Sequence, residues 1–388
     1  MAPPKKNAKA LVAKLKANAK PDAPKSSNGS RALLMDRLMR EGNKRFGDGT
    51  FKHISEAPSN IRTYLPTGVP VLDLMASGKL DGGFPCGRIV ELFGDESIGK
   101  TTIGCALMLS AQQAGGVAIV IDTESTLTQK RIIDLGVDAS SLLYNNERYL
   151  ESVASQLEFF ATQLHKSPPS VIFWDTVAGT KAKGEDGGGS GGLGVHARVL
   201  SKCFRGITKP LAESKTCLVC CNQLKEGSLG QMMVTERSRL ATIGGKALRF
   251  HASLRVCLTH AKQYREMYNK SLVYCGDEIK IKVVKNKDHA SNTTGRCVIR
   301  NGRIDPAVST LLTLADWDVI KAVKAKSDAA PSWVWGGKRY SAPAWRSEYT
   351  HNDLFRADVE RVLVATFHAK YKRDADLSDE EEVDDDTD

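Results

Sequence analysis

Eight consecutive residues, Gly94-Asp95-Glu96-Ser97-Ile98-Gly99-Lys100-Thr101, fit the pattern G-x-x-x-x-G-K-[ST]. Residues of these types in this order hold a phosphate chain. Glycines let the backbone curl so that successive N–H groups face inward at phosphate oxygens. A helix opening behind them adds the partial positive charge of its N-terminus. Lys100 is long enough to reach the outer phosphates, and Thr101, followed by Thr102, offers a hydroxyl to Mg2+. Acids close two apolar runs further on. Val171-Ile172-Phe173-Trp174 ends in Asp175, suited either to the metal's shell or to capping the next turn. Val117–Ile121 ends in Asp122-Thr123-Glu124. Hydrolysis requires a group that orients or deprotonates the attacking water; Glu124 is the first candidate and Asp122 the second. A third run, Cys217–Cys221, closes in Asn222-Gln223. Gln223 there either senses the terminal phosphate or sits in a surface turn.

These groups must be carried by an α/β core. Strands are expected at Ile89–Phe93, Val117–Ile121, Val171–Trp174, Cys217–Cys221, Leu254–Leu258 and Ile279–Val284, and helices at Thr101–Ala114 and Leu150–Leu164. Such alternation makes an open, mostly parallel central sheet with helices on its faces, and ligands gather at the carboxyl edge of its strands. The later strands lack long helices between them, so that side of the sheet is expected to be antiparallel. Two stretches within residues 61–305 do not read as packed structure: Gly-rich 181–194 and the polar stretch 225–243. Unstructured loops this long in a compact domain are functional or disordered. Before the core, Arg31–Phe46 has the apolar spacing of a helix and Thr50–Ile54 reads as a short extended stretch, within a module spanning 31–60. After it, 306–373 reads as a smaller C-terminal α/β domain.

The chain has 388 residues, 41% hydrophobic and 26% charged, which suits a globular core with attachments. No apolar run of about 18 residues is present to span a membrane, and the Lys-rich start lacks the apolar centre of a secretory signal. The reading is cytoplasmic, in a bacterium or a phage-infected host, with organelle targeting the second choice. Net charge is +10 and unevenly spread. Residues 1–30 hold seven Lys against Asp22 alone; 374–388 hold ten acids and no base, and removing those acids takes the net charge from +10 to +20. Both ends read as disordered tails, and a body that basic points to nucleic acid. The nine Cys show no second ligand pair at zinc spacing and read as core thiols.

Together these residues resemble the bacterial and phage RecA family, from about Arg31 to Asp305 and more weakly to Tyr371. Gly94–Thr102 is similar to that family's G-P-E-S-S-G-K-T-T, Val120–Glu124 to its strand with the catalytic glutamate, Asp175-Thr176-Val177-Ala178 to its second acidic strand, and Gly244–Phe250 to the exit of its second DNA loop. Lys282-Val283-Val284-Lys285-Asn286-Lys287 is the most specific match. The resemblance implies an ATP- and Mg2+-dependent recombinase that forms filaments on single-stranded DNA and pairs it with homologous duplex. Single-stranded-DNA-binding and loading proteins follow as further partners.

The resemblance also implies roles for residues. Residues 181–194 and 225–243 become the two DNA loops, with Leu193, Gly194, Lys225, Met232, Met233, Arg237, Arg239, Gly244 and Gly245 in or beside them. Arg198 and Arg205 match positions near the DNA backbone, and Gln223 matches the γ-phosphate switch. Lys285 and Lys287 match lysines that reach ATP across a subunit interface, and 31–60 matches the arm that polymerises the family. Arg131 stands where the family often has a Tyr against adenine; a guanidinium plane stacks too. Residues 341–367 look more like the T4-type phage recombinases. The second loop is about four residues longer than the bacterial pattern, the first has extra Gly, and the basic extension has no counterpart. Two rivals share the motif set: a hexameric DNA helicase built on the same core, and a non-catalytic ATP-gated single-stranded-DNA-binding mediator.

Overall fold

The computed structural model describes residues 28–54, 63–183, 192–224, 242, 246–269, 271–323 and 331–371, in two units split between Asn60 and Ile61. In the first, helix α1 (Asn28–Phe46) leaves Leu33, Leu34 and Leu38 exposed. The expected extended stretch after it does not form. The Asn43 side-chain amide donates to the Phe51 carbonyl (3.0 Å) and accepts from the Phe51 N–H (2.7 Å), so Asn43 takes the backbone groups that a strand would pair.

The second unit begins with β1 (Tyr64–Leu65), α2 (Pro70–Ser77), β2 (Phe84–Pro85) and β3 (Ile89–Gly94). Then come α3 (Lys100–Gln113), β4 (Ala118–Asp122), α4 (Gln129–Asp134), β5 (Leu142–Asn145), α5 (Leu150–Gln163), β6 (Ser170–Asp175), α6 (Gly192–Glu213) and β7 (Thr216–Gln223). After α7 (Ala247–His251) run β8 (Leu254–Tyr268), β9 (Ser271–Asn286), β10 (Thr293–Arg300) and β11 (Arg303–Ile304). The chain continues through α8 (Pro306–Asp316), a small sheet of β12 (Ala322–Val323), β13 (Ser332–Trp335) and β14 (Lys338–Ser341), and helices α9 (Ala342–His351) and α10 (Asp353–Tyr371).

The main sheet has the order β11-β10-β9-β8-β3-β7-β6-β4-β5. From β8 to β5 neighbours are parallel, and from β8 to β11 they are antiparallel, as expected. The β-branched runs of β3, β4, β6 and β7 are buried on both faces, the burial a parallel sheet requires. One apolar cluster packs α2, α3 and α8 on one face and continues into Trp333, Trp345 and Phe367; the other packs α5 and α6 on the opposite face. Cys217, Cys220 and Cys221 lie wholly inside β7, where burial drives their thiol pKa values up. Among the described residues no helix is long and apolar enough to cross a membrane.

Candidate active site

Sheet order brings the chemistry together. The central strands β3, β7, β6 and β4 are adjacent and parallel, so their last residues converge at one edge. There Gly94 pairs in register with Gln223, and Asp122 with Asp175. The loop from β3 into α3 wraps this edge. Gly99, the residue before α3, has φ +91°, a left-handed conformation that favours glycine. Lys100 is buried, with Nζ donating to the Gly94 carbonyl (3.1 Å) and the Asp95 carbonyl (2.6 Å).

A cavity of about 250 Å³ opens against Ser97–Thr102 and the side chain of Arg131. Arg131 Nη2 donates to Thr102 Oγ1 (3.0 Å) and to the Gly302 carbonyl (2.9 Å), which ties it across the cavity rim. Asp277, Ile279 and Ile299 complete the wall from β9 and β10. No local motif marked them, because their place comes from pairing on the antiparallel side of the sheet.

Thr101 Oγ1 donates to Asp175 Oδ2 at 2.8 Å, so the predicted metal pair is in contact. Burial pushes the Asp175 carboxyl up to about 6; the Thr101 hydroxyl and Lys100 oppose this, while Glu124 and Asp122 add repulsion. A cation would relieve that crowding of carboxylates. Among the described residues no group of three or more His, Cys, Asp or Glu is placed to hold a metal. A hydroxyl and one carboxylate suit Mg2+, which takes one or two protein ligands and completes its shell with waters and phosphates.

The two candidates for handling water differ in what they already do. Asp122 is buried, and its carboxylate accepts from the Leu127 N–H (2.9 Å), the Thr126 N–H (3.3 Å) and the Tyr144 hydroxyl (3.3 Å), which fixes the turn after β4. Glu124 is exposed, and its Oε1 accepts from Thr176 Oγ1 (2.8 Å). Thr123 links the two strand ends, its N–H donating to the Asp175 carbonyl (2.8 Å) and its hydroxyl to the Thr176 carbonyl (3.0 Å). Glu124 is therefore the carboxylate left facing outward beside the phosphate loop. Thr176, which orients it, stands in the sequence only as part of Asp175-Thr176-Val177-Ala178, with nothing in its type to mark that role.

Lys285 and Lys287 are not brought to their own phosphate loop. Leu258 of β8 pairs with Gly94, but Lys285 pairs with Arg255, and the Lys287 N–H donates to the Ser253 carbonyl (3.0 Å). Lys285 Nζ donates to the carbonyls of Arg249 (2.8 Å) and Phe250 (3.1 Å) at the end of α7. Burial first, then Lys287 and Arg255, push its amine down to about 8.

Of the residues expected to touch DNA, Gly194, Arg198 and Arg205 are exposed on α6. Leu193 is the second residue of the same helix. Lys225, Met232, Met233, Arg237, Arg239, Gly244 and Gly245 lie outside the described residues, as does most of both loops.

A family model described as the RecA N-terminal domain matches residues 33–299. Protein RecA of Thermus thermophilus is 34% identical over 260 residues, covering 66% of this chain and 73% of that protein. Protein RecA of Salinispora arenicola is 31% identical over 301 residues, covering 77% and 82%. Protein RecA of Bifidobacterium longum is 35% identical over 263 residues, covering 66% and 62%.

Proposed function

The chain belongs to the RecA family of ATP-dependent recombinases, and from that premise we propose that it clasps ATP between adjoining protomers, assembles along single-stranded DNA and pairs that strand with a homologous duplex. One observation carries the reading. The phosphate loop, Asp175 and Glu124 meet at one sheet edge, while Lys285 near the end of β9 pairs with Arg255 and Lys287 just past β9 bonds to Ser253, both short of the Leu258–Gly94 pairing at that edge. In this reading the site of one protomer is completed by the cations of another.

In this reading Gly94–Thr102 cradles the phosphates and Arg131 borders the base. Thr101 Oγ1 and Asp175 would hold Mg2+, which when bound offsets charge on the phosphoryl group being transferred. Glu124, steadied by Thr176, orients and deprotonates the attacking water. Gln223, paired with Gly94 at that edge, would sense the terminal phosphate and pass its state into 225–243 directly downstream. That loop and 181–194 would hold DNA phosphates through Lys and Arg, largely without reading bases. Leu193, Met232 and Met233 would wedge between bases. Residues 31–60 would dock on the next protomer, and the work would take place in the cytoplasm beside single-stranded-DNA-binding and loading proteins.

The test is strand exchange between circular single-stranded DNA and a homologous linear duplex, with ATP and Mg2+. Joint molecules are expected with homologous substrates only. Unwinding of a forked duplex without homologous pairing contradicts the reading in favour of a helicase.

A further inference from the structure

In the second apolar cluster of the sheet, beneath α6 and α7, a charged chain of contacts replaces apolar packing. Glu91 in mid-β3 is fully buried. Its Oε2 accepts from Arg255 Nε, and its Oε1 accepts from Asn222 Nδ2 at 3.1 Å. Asn222 Oδ1 in turn accepts from the Gln223 N–H at 2.9 Å. On the other side Arg255 lies over the Phe93 ring, 4.7 Å from its centroid, and is the cross-strand partner of Lys285. Side-chain contacts thus join three neighbouring strands, β7, β3 and β8, and β9 follows through the pairing of Arg255 with Lys285. Arg255 Nη2 is buried with no hydrogen-bond partner among the described residues, so the chain of contacts is not fully satisfied as it stands.

We infer that Glu91 and Arg255 are positioning residues that couple Gln223 to Lys285, so that nucleotide contact at the end of β7, beside the DNA-holding stretch 225–243, alters the grip on the neighbouring protomer at β9. The inference deepens the reading above and rests on it. A buried ion pair is weak evidence for stability, since its desolvation cost rivals its attraction and apolar pairs of similar volume often replace it without loss. Coupling gives the pair a purpose that stability does not. Glu91 touches both neighbours: a shift of Asn222 as Gln223 turns would move the carboxylate, and with it the guanidinium beside Lys285. The partnerless Nη2 gives that guanidinium an unused donor, ready for a second position. Neither residue lines the nucleotide cavity, so neither is placed to touch ATP.

The test compares wild type, the apolar pair Glu91→Leu/Arg255→Met and the single variant Glu91→Gln. Each is read for ATP turnover with and without single-stranded DNA, for ATP KM and for melting temperature. The apolar pair is expected to melt no lower than wild type and to keep its basal rate and KM. The ratio of DNA-stimulated to basal turnover is expected to fall about 5- to 150-fold, the span of a typical coupling between sites. Glu91→Gln, which changes one atom, should lose part of that ratio. Full stimulation in the apolar pair overturns the inference, and so does full stimulation in Glu91→Gln even if the apolar pair fails to fold. A parallel loss of basal and stimulated rates also overturns it, because that marks a merely structural pair. If wild type itself is not stimulated by DNA, the functional reading falls and takes this inference with it.

Discussion

At the scale of single residues, two carboxylates two positions apart have different work. Asp122 is committed to its turn by three hydrogen bonds, and Glu124 is held outward by Thr176. Glu124→Gln is expected to lower DNA-stimulated turnover by about 10²- to 10⁴-fold, the usual worth of a positioned general base. Binding of a fluorescent ATP analogue should be unchanged. Another buried carboxylate bears on the pH dependence of folding. Asp73, fully buried in α2, accepts from the Thr67 N–H (2.8 Å) and hydroxyl (2.6 Å), yet burial outweighs these bonds and lifts it from 3.8 to about 7. A folded value above the unfolded one means that the protonated form is bound more tightly in the fold. Its stabilisation is complete below 3.8 and is lost as pH rises through about 7. At about 1.4 kcal/mol per unit this amounts to a few kcal/mol. Asp73→Asn should therefore gain melting temperature relative to the parent as pH rises from about 5 to about 8. A difference that stays flat across that range contradicts the assignment.

At the scale of elements, α3 carries the phosphate loop because it lies tightly on β6. Gly104 makes that approach possible: a Cβ there would sit 2.3 Å from the buried Phe173 ring. Helix propensity favours Gly→Ala by about 1 kcal/mol, but overpacking a filled core costs about 1–3 kcal/mol. Gly104→Ala is thus expected to lower the melting temperature by a few degrees and to weaken ATP binding; a rise in melting temperature would show that α3 has room. The same packing explains what the sequence could reveal. β3, β4, β6 and β7 are buried on both faces and appear as unbroken apolar runs. β8 and β9 were legible only in their inner parts, Leu254–Leu258 and Ile279–Val284. Their outer residues pair with one another and are largely exposed, so polar and aromatic side chains alternate there without an apolar face. The motif for the phosphates was local and plain. The cavity wall of Asp277, Ile279 and Ile299, Arg131's anchor at Gly302 and the Glu91–Arg255 pair depend on contacts between strands distant in sequence. The stretch after α1 misled because Asn43 sits eight residues away from the backbone groups that it captures.

At the scale of the whole molecule, the proposed division of the site between protomers matters most. Lys285→Ala with Lys287→Ala removes nothing from the protomer's own phosphate loop, so nucleotide binding by dilute, unassembled protein should persist. Cooperative, DNA-stimulated turnover should fall by about 10³-fold or more, the loss seen when a charge-stabilising group supplied from a neighbour is absent. Retained cooperativity in a titration of rate against protein concentration would contradict the interface role. The most direct measurement of the central claim records ATP turnover and electron-microscope images on the same samples, with and without single-stranded DNA. The account predicts that added strands raise turnover and convert the protein into regular filaments in step. Turnover indifferent to DNA, with no assembly larger than the starting particle, would contradict it.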